Sequence, residues 1–487
     1  MSYSYQTFTK NVAIIGIANV LISLSVVLLI PLLTKTLGAY DYGIWAQVNV
    51  TIGLMATVAG LGLPYAIVRF LAARKSREEI QKEFYSVFGM VLISALVFSA
   101  LLIIFSSFLA NVFFNGATQI VIITGFIIFV WLLDSLCLNI FPAFGQMRTY
   151  SAITVAEAFG RVGLIAILIL KGYDLFSAVL SILIIRAILF FVLAYLVKTR
   201  IGIARPHFYK AREYLSFSIP TIPADITGWV VASSDRYVVS YFLGVTAVGI
   251  YSAAYVLGNI PYMLSGLLSF VLLPTVSRLY DTDRMNEVKI YLRYTLKYFL
   301  ALTIPFIFGA AILGKQVLSL FSTQEIAAQG HYVVGIIALG TLFLGAYSVI
   351  SHILILVKKM KIIGVVWIIS ASVNLGLNIL IVPRLGVLGA AITTSISYLL
   401  ALGIVTYFSF REFRFSIEPG FIIKSLVASA AMSAVVWLIA PQGNLATVLI
   451  IAAGVVIYGL ILLLLKGFKK EEISFFLSLL KKQRTTS

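Results

Sequence analysis

The chain has 487 residues, 61% of them hydrophobic and 11% charged, with a mean hydropathy of +1.06 and a formal net charge of +18. Soluble globular chains are about 45–50% apolar and about 25% charged, so folding in water would leave too much apolar surface uncovered, and a bilayer is the solvent that fits. Its single cysteine, Cys137, excludes an intramolecular disulfide; His207, His331 and His352 lie far apart without metal-ligand spacing, and there is no Gly-x-x-x-x-Gly-Lys phosphate loop, so no metal, other cofactor or ATP hydrolysis is expected.

A helix needs about 20 mostly apolar residues to cross the hydrocarbon core. In chain order such windows run over 12–33, 44–68, 84–109, 118–141, 153–170, 175–197, 215–242, 248–274, 298–313, 329–357, 362–382, 387–408, 422–439 and 446–465. The pattern predicts an all-α membrane protein of about fourteen transmembrane helices. Lys10 precedes a first run long enough to span, which reads as a helix rather than a cleaved signal.

With the N-terminus placed inside, alternate connections collect 29 basic residues on the cytoplasmic side, among them Arg69, Arg77, Arg148, Arg200, Lys210, Lys297 and Lys359. The opposite side holds four, Lys35, Lys171, Lys315 and Arg384, and three more, Arg161, Arg186 and Arg236, fall inside spans. That asymmetry follows the positive-inside rule and predicts both termini in the cytoplasm. The positive charge is then a topology device that also attracts anionic lipid headgroups, and no nucleic-acid partner is expected.

An internal repeat is legible at the start of the second and eighth windows. Leu37-Gly38 to Gly43-Ile44 and Leu243-Gly244 to Gly249-Ile250 share the pattern Leu-Gly-x-x-x-x-Gly-Ile at an offset of 206 residues, and each window runs on to a proline (Pro64, Pro274) and an arginine (Arg69, Arg278). Six spans separate the copies, which predicts two parallel six-helix lobes related by an axis along the membrane normal. The N-terminal lobe would cover 1–197, a basic cytoplasmic linker 198–214 and the C-terminal lobe 215–408. Two additional spans and a basic tail would occupy 409–487, the tail over Lys466–Arg484 reading as an amphipathic interfacial helix.

Several stretches carry a family resemblance. Ser234-Asp235-Arg236-Tyr237 to Leu243-Gly244, Val248-Gly249-Ile250-Tyr251 to Tyr255, Leu273-Pro274-Thr275-Val276-Ser277-Arg278, Asn374-Leu375-Gly376-Leu377-Asn378, Pro383-Arg384-Leu385-Gly386 and Gly389-Ala390-Ala391 occur in order along essentially the whole length. The chain resembles the polysaccharide (lipid-linked oligosaccharide) flippases of the MATE-like MOP exporter superfamily. The resemblance implies a V-shaped pair of lobes around a central cavity, in the cell membrane, moving a polyprenyl-linked oligosaccharide to the outer leaflet by alternating access. Glycan polymerases or transferases of the same pathway are the protein partners it implies. Peptidoglycan-precursor flippases of that superfamily use cavity arginines, some on the first helix; here the first window carries only Asn19, Ser23 and Ser25 as polar residues. A cation-coupled small-molecule exporter shares the architecture. A membrane enzyme is disfavoured by the longest outer loop, Gly314 to Ala328, which is too short for a catalytic domain.

A charge at mid-bilayer costs at least about 2.5–3.5 kcal/mol, so such residues face a cavity or a partner. The candidates are Asp134, Glu157, Arg161, Arg186, Asp225, Asp235 and Arg236, all in the first lobe or on the seventh window. Glu157 and Arg161 are spaced to share a helical face, either neutralising each other or lining the cavity. Arg186 either pairs with Asp134 or contacts substrate. A guanidinium matches phosphate oxygens and stays charged when desolvated, which makes Arg161 and Arg186 candidates for holding the pyrophosphate, with Asn19 also facing the cavity. Asp134, Asp225 and Glu157 are candidates for carrying a coupled proton. Asp225, Asp235 and Arg236 read as structural or gating residues; the last two are neighbours on a helix, point in different directions and would not share one site contact. Trp45 is expected in the interfacial belt and the other tryptophans in packing or cavity walls, and Pro220, Pro223, Pro261 and Pro305 are expected to kink spans seven to nine.

Overall fold

The computed structural model describes residues 5–72, 76–439, 441–469 and 472. Arg74, Lys75, Lys470 and most of the expected amphipathic tail lie outside the described residues. The first half comprises α1 (Tyr5–Ala59), α2 (Leu63–Ala72), α3 (Arg77–Ile104), α4 (Ser106–Phe113), α5 (Thr118–Leu138), α6 (Ile140–Ala143), α7 (Met147–Leu170) and α8 (Leu175–Ile201). Beyond the linker come α9 (Ala211–Ser218), α10 (Ile222–Leu243), α11 (Val245–Gly258), α12 (Ile260–Asp281), α13 (Met285–Phe321), α14 (Gln324–Leu356) and α15 (Met360–Glu412). The pair α16 (Pro419–Ile439) and α17 (Asn444–Leu464) closes the chain.

Among the described residues, 10 helices are long and apolar enough to cross a membrane, where the sequence reading expects about fourteen spans. Two of them, α1 and α15, each comprise two helical runs divided at a non-helical glycine, Gly38 (φ 83, ψ −177) and Gly386 (φ 61, ψ −147), one run for each of two expected windows. The windows expected as spans seven and eight are divided among α10, α11 and α12. Prolines account for part of that division: Pro223 and Pro261 stand in the first turns of α10 and α12, and Pro220 opens a short 3-10 turn before α10. A helix start has no use for the missing N–H, so these three begin helices instead of kinking them, and of the four only Pro305 lies inside one. The expected outer loop from Gly314 to Ala328 is almost wholly helical, with Ser322 and Thr323 alone joining α13 to α14; the Thr323 hydroxyl accepts the Ile326 N–H to start α14.

Burial follows the two halves. One apolar cluster ties α1–α8 to α11 and to parts of α13 and α14, a second fills the interior among α10 and α12–α15, and a third holds α16 and α17 against α13. Trp45 is buried in the first cluster rather than placed in a belt, whereas Trp437, expected in packing, is 69% exposed on the outside of α16. The linker is fastened to α3: the Tyr85 hydroxyl donates to the Gly202 carbonyl at 2.8 Å, Ser86 exchanges hydrogen bonds with the backbone of His207, and Lys210 pairs with buried Glu83 at 3.1 Å.

The repeated motif forms the crossing of α1 and α11. Gly38 and Gly244, equivalent in the repeat, share a left-handed backbone at φ 83 and φ 82. Five residues on, Gly43 and Gly249 lie against the opposite copy. A Cβ on Gly43 would sit 1.8 Å from the Val245 carbonyl oxygen, and a Cβ on Gly249 would sit 2.0 Å from that of Ala39. Ala39 and Val245 are themselves equivalent in the repeat, so exchanging the copies maps this contact onto itself. Only glycine allows backbones this close. Nearby hydrogen bonds close the same end of the bundle: Asn115 to the Tyr40 hydroxyl at 3.2 Å, the Ser240 hydroxyl to the Phe113 carbonyl at 2.7 Å, and Lys35 to the Leu320 carbonyl at 2.6 Å.

Candidate functional site

Close packing of α5 on α8 and of α7 beside them brings four of the intramembrane charges together. Arg186 on α8 reaches Asp134 on α5 at 3.2 Å and Glu157 on α7 at 3.4 Å, and Arg161, one turn beyond Glu157, stands 4.0 Å from that carboxylate. The Asp134 side chain is wholly buried, and the other three retain a little exposure. Two acids and two bases balance, which is how such groups persist in a hydrocarbon setting. Arg186 is therefore paired, but with two carboxylates from different helices, not one. Glu157 and Arg161 do share a helical face as their spacing predicts. Arg161 is the less committed base: among the described residues its ion contact is the 4.0 Å approach to Glu157, and its buried Nε makes no hydrogen bond.

Beside this chain of charges lies a cavity of about 690 Å³, lined among others by Tyr65, Arg69, Trp131, Asn139 and Asp225. Trp131 links the two, forming one wall of the cavity while the Arg186 guanidinium lies 5.8 Å from its ring centroid. Arg69 sits over the Phe217 ring at 4.3 Å, keeping its charge exposed to the cavity. The lining residues come from the ends of α1, α2, α5 and α10 nearest the basic connections, and the Gly43–Gly249 crossing lies toward the other end of the second run of α1. Asp225 is thus a cavity residue. The sequence reading treats Arg69 as one more topology charge, and nothing in its local spacing distinguishes it from the others. Asn19 is exposed on the first part of α1 and is not among the residues the ion pairs or the cavity bring together.

Asp235 and Arg236 form a buried ion pair with each other: the Arg236 guanidinium folds back to Asp235 at 2.8 Å. A long flexible side chain can reach its neighbour even though the two Cβ atoms diverge. Tyr251 also donates to Asp235, Thr394 does so at 3.4 Å, and Arg236 lies 4.0 Å above the Tyr255 ring. The polar strip continues on α15, where Asn378 donates to Asn374 at 3.1 Å and accepts from Thr393 at 2.8 Å. Asn374, Thr393 and Thr394 are fully buried, so the second half is not free of interior polar groups.

A further buried charge is one that the sequence assigns to a cytoplasmic connection. Lys297, only 3% exposed inside α13, meets Glu418 and Glu472 at 3.0 Å each and lies 5.0 Å from the Phe421 ring. It fastens the start of α16 and the segment after α17 to α13. Removing one partner of a buried pair costs about 3–5 kcal/mol, so Lys297→Met is expected to lower the thermal midpoint of the purified protein clearly. Lys359→Met, at an exposed pair with Glu412, is expected to change it little; equal shifts would contradict the assignment. Among the described residues, no group of three or more His, Cys, Asp or Glu side chains is placed to hold a metal ion.

A helical membrane bundle with a polar cavity at one end and a glycine crossing at the other is the architecture of a multi-pass transporter. The chain belongs to the polysaccharide biosynthesis protein family, whose model matches residues 8–280; the MatE family model matches 220–380. The Probable flippase AglR of Haloferax volcanii is 29% identical over 50% of this chain and 52% of its own length, so that match spans about half of the relative. The Probable low-salt glycan biosynthesis flippase Agl15 of the same organism is 22% identical over 76% of each chain. A solved structure of the lipid II flippase MurJ in an inward closed conformation shares the fold, with a TM-score of 0.77, 20% identity, and coverage of 94% of this chain and 99% of that one.

Proposed function

We propose that this protein flips a polyprenyl-linked oligosaccharide from the cytoplasmic to the outer leaflet of the cell membrane, in a pathway that builds a surface polysaccharide or glycan. The observation that carries the reading is the cavity at the basic end, with Arg69 in its wall and the Asp134–Arg186–Glu157–Arg161 chain behind Trp131. Relatives named as glycan flippases support it. A lipid-linked sugar carries a pyrophosphate that cannot cross hydrocarbon unscreened. Arg69 meets it first at the cavity mouth, and Arg161, the less committed base, takes it deeper, with Arg186 following as its carboxylates reorganise. The neutral balance of the cluster keeps this hold weak enough for release.

Both termini lie in the cytoplasm in this reading, which makes the cavity inward-facing and the Gly43–Gly249 crossing the outer closure. The lobes 1–197 and 215–408 rock against each other about that crossing. The linker 198–214 moves with the first lobe, to which α3 binds it, and 409–487 travels with the second. Asp134, Glu157 and Asp225 are the groups through which a proton could drive the cycle; a flipping rate unchanged by collapse of the proton gradient would remove them from that role.

Arg69→Gln tests the cavity assignment. Because Arg69 is exposed and makes no buried ion pair, the variant is expected to fold and insert normally yet lose about tenfold or more in flipping, the scale of one charge-assisted contact. Normal complementation of a flippase-deficient strain by Arg69→Gln would contradict it. The match of the MatE model to 220–380 favours one second reading, a cation-coupled exporter of small molecules; for that activity Arg69→Gln is expected to leave flipping irrelevant and to raise, not lower, cation efflux.

A further inference from the structure

A second pocket, of about 410 Å³, lies apart from the cavity. It is lined by Arg77, Ile80, Phe144, Gln146, Arg200 and Ile201. Three helix ends meet there: the first turn of α3, the last turn of α8 and the start of α7. Two guanidiniums share the space and no carboxylate lines it. Each is held from behind. Arg77 donates its Nε to the Ile201 carbonyl at 3.2 Å, and Arg200 donates to the Gln146 side-chain oxygen while lying 4.8 Å from the Phe141 ring. The nearest acids in sequence are otherwise engaged or turned away: Glu78 pairs with Lys82 at 2.6 Å, and Glu79 is exposed in the capped first turn of α3.

Arg77 and Arg200 are both exposed, so water screens most of their mutual repulsion, and an anion that joins them gains from both charges at once. A guanidinium pair with fixed forks is matched to phosphate oxygens. The remaining wall is apolar, supplied by Ile80, Phe144 and Ile201, which a free phosphate would not use. The pocket also sits where three apolar helices end, the level at which lipid headgroups lie. We propose that this pocket binds the phosphate of an anionic phospholipid, with Arg77 and Arg200 on the headgroup and Ile80 and Phe144 against the start of an acyl chain. Bound there, the lipid would join α3, α7 and α8, the last two of which carry three of the four charges of the transport cluster. The proposal does not depend on which substrate the central cavity carries.

Native mass spectrometry of the full chain in detergent, titrated with phosphatidylglycerol or phosphatidylcholine, tests it. The parent protein is expected to retain one phosphatidylglycerol in preference to phosphatidylcholine. In Arg77→Gln/Arg200→Gln that first affinity is expected to fall at least about tenfold, with Arg77→Lys/Arg200→Lys intermediate. Arg200→Gln alone, which leaves the Arg77 contact to α8 in place, serves if the double variant does not fold, and is expected to show a smaller loss in the same direction. Undiminished phosphatidylglycerol retention in folded variants would overturn the site. Displacement of the lipid by millimolar inorganic phosphate, with phosphate itself retained, would overturn the lipid assignment in favour of a soluble phosphate. Equal retention of both lipids would do so in favour of a neutral one.

Discussion

Alanine at Gly249 is expected to abolish flipping, and alanine at Gly43 to do the same, while Gly163→Ala leaves it intact. Added methyl groups at the first two positions would fall 2.0 Å and 1.8 Å from backbone carbonyl oxygens of the opposite copy, whereas one at Gly163 meets nothing within 4 Å. Neither carbonyl can turn aside without breaking a helix, so α1 and α11 must separate. Overpacking costs about 1–3 kcal/mol, and at a backbone contact the upper figure applies. A shift of about 3 kcal/mol changes the balance of closed and open states more than a hundredfold. If the crossing is the outer closure, Gly249→Ala holds the protein open to the outside. In a Cys137→Ser background, Val48→Cys, at a position fully buried on α1 just past Gly43, should then react with a membrane-impermeant maleimide only when Gly249→Ala is also present. Unchanged labelling together with normal flipping would show that the closure lies elsewhere.

The second large effect concerns Arg186. Replacing it with alanine leaves Asp134 wholly buried without its nearest cation and Glu157 with only the distant Arg161. The expected loss is about 3–5 kcal/mol of stability, read as a lowered thermal midpoint and reduced protein in the membrane. Asp134→Asn/Arg186→Gln removes both charges together and is expected to recover most of that stability, since the uncompensated charge is what costs energy. Flipping separates the two roles of Arg186. If it only neutralises Asp134, the double variant flips normally. The proposed function requires that the double variant folds and still flips at least about tenfold more slowly, because the phosphate has lost a donor.

These positions show what the amino-acid sequence makes legible. The glycine motif was readable because both copies kept the residue types the crossing demands; that the two copies touch each other could not be read from either alone. Asp134 and Arg186 could be matched because each is a lone charge in an apolar window, so a partner had to exist. Glu157 as a second partner of Arg186 required knowing which faces of α7 and α8 meet. Lys297 escaped notice because one lysine at the edge of an apolar window looks like any other topology charge, and its acids lie more than a hundred residues away. Arg69 was missed for the same reason. Asn19 is a cavity candidate by polarity alone, and polarity does not fix which way a helix face turns. The helices do not map one to one onto the expected windows: α1 and α15 each cover two windows, divided at the non-helical Gly38 and Gly386, and prolines begin helices within the windows expected as spans seven and eight.

The central claim is that a lipid-linked oligosaccharide crosses the membrane through the cavity that Arg69 and Trp131 line. The most direct measurement is translocation of a fluorescent polyprenyl-pyrophosphate oligosaccharide in proteoliposomes holding the purified protein. The account predicts protein-dependent exposure of the sugar on the far leaflet, slowed by Arg69→Gln and by Arg161→Ala/Arg186→Ala. No exposure across a panel of carriers and sugars, from proteoliposomes that instead export small organic cations on an ion gradient, would contradict it.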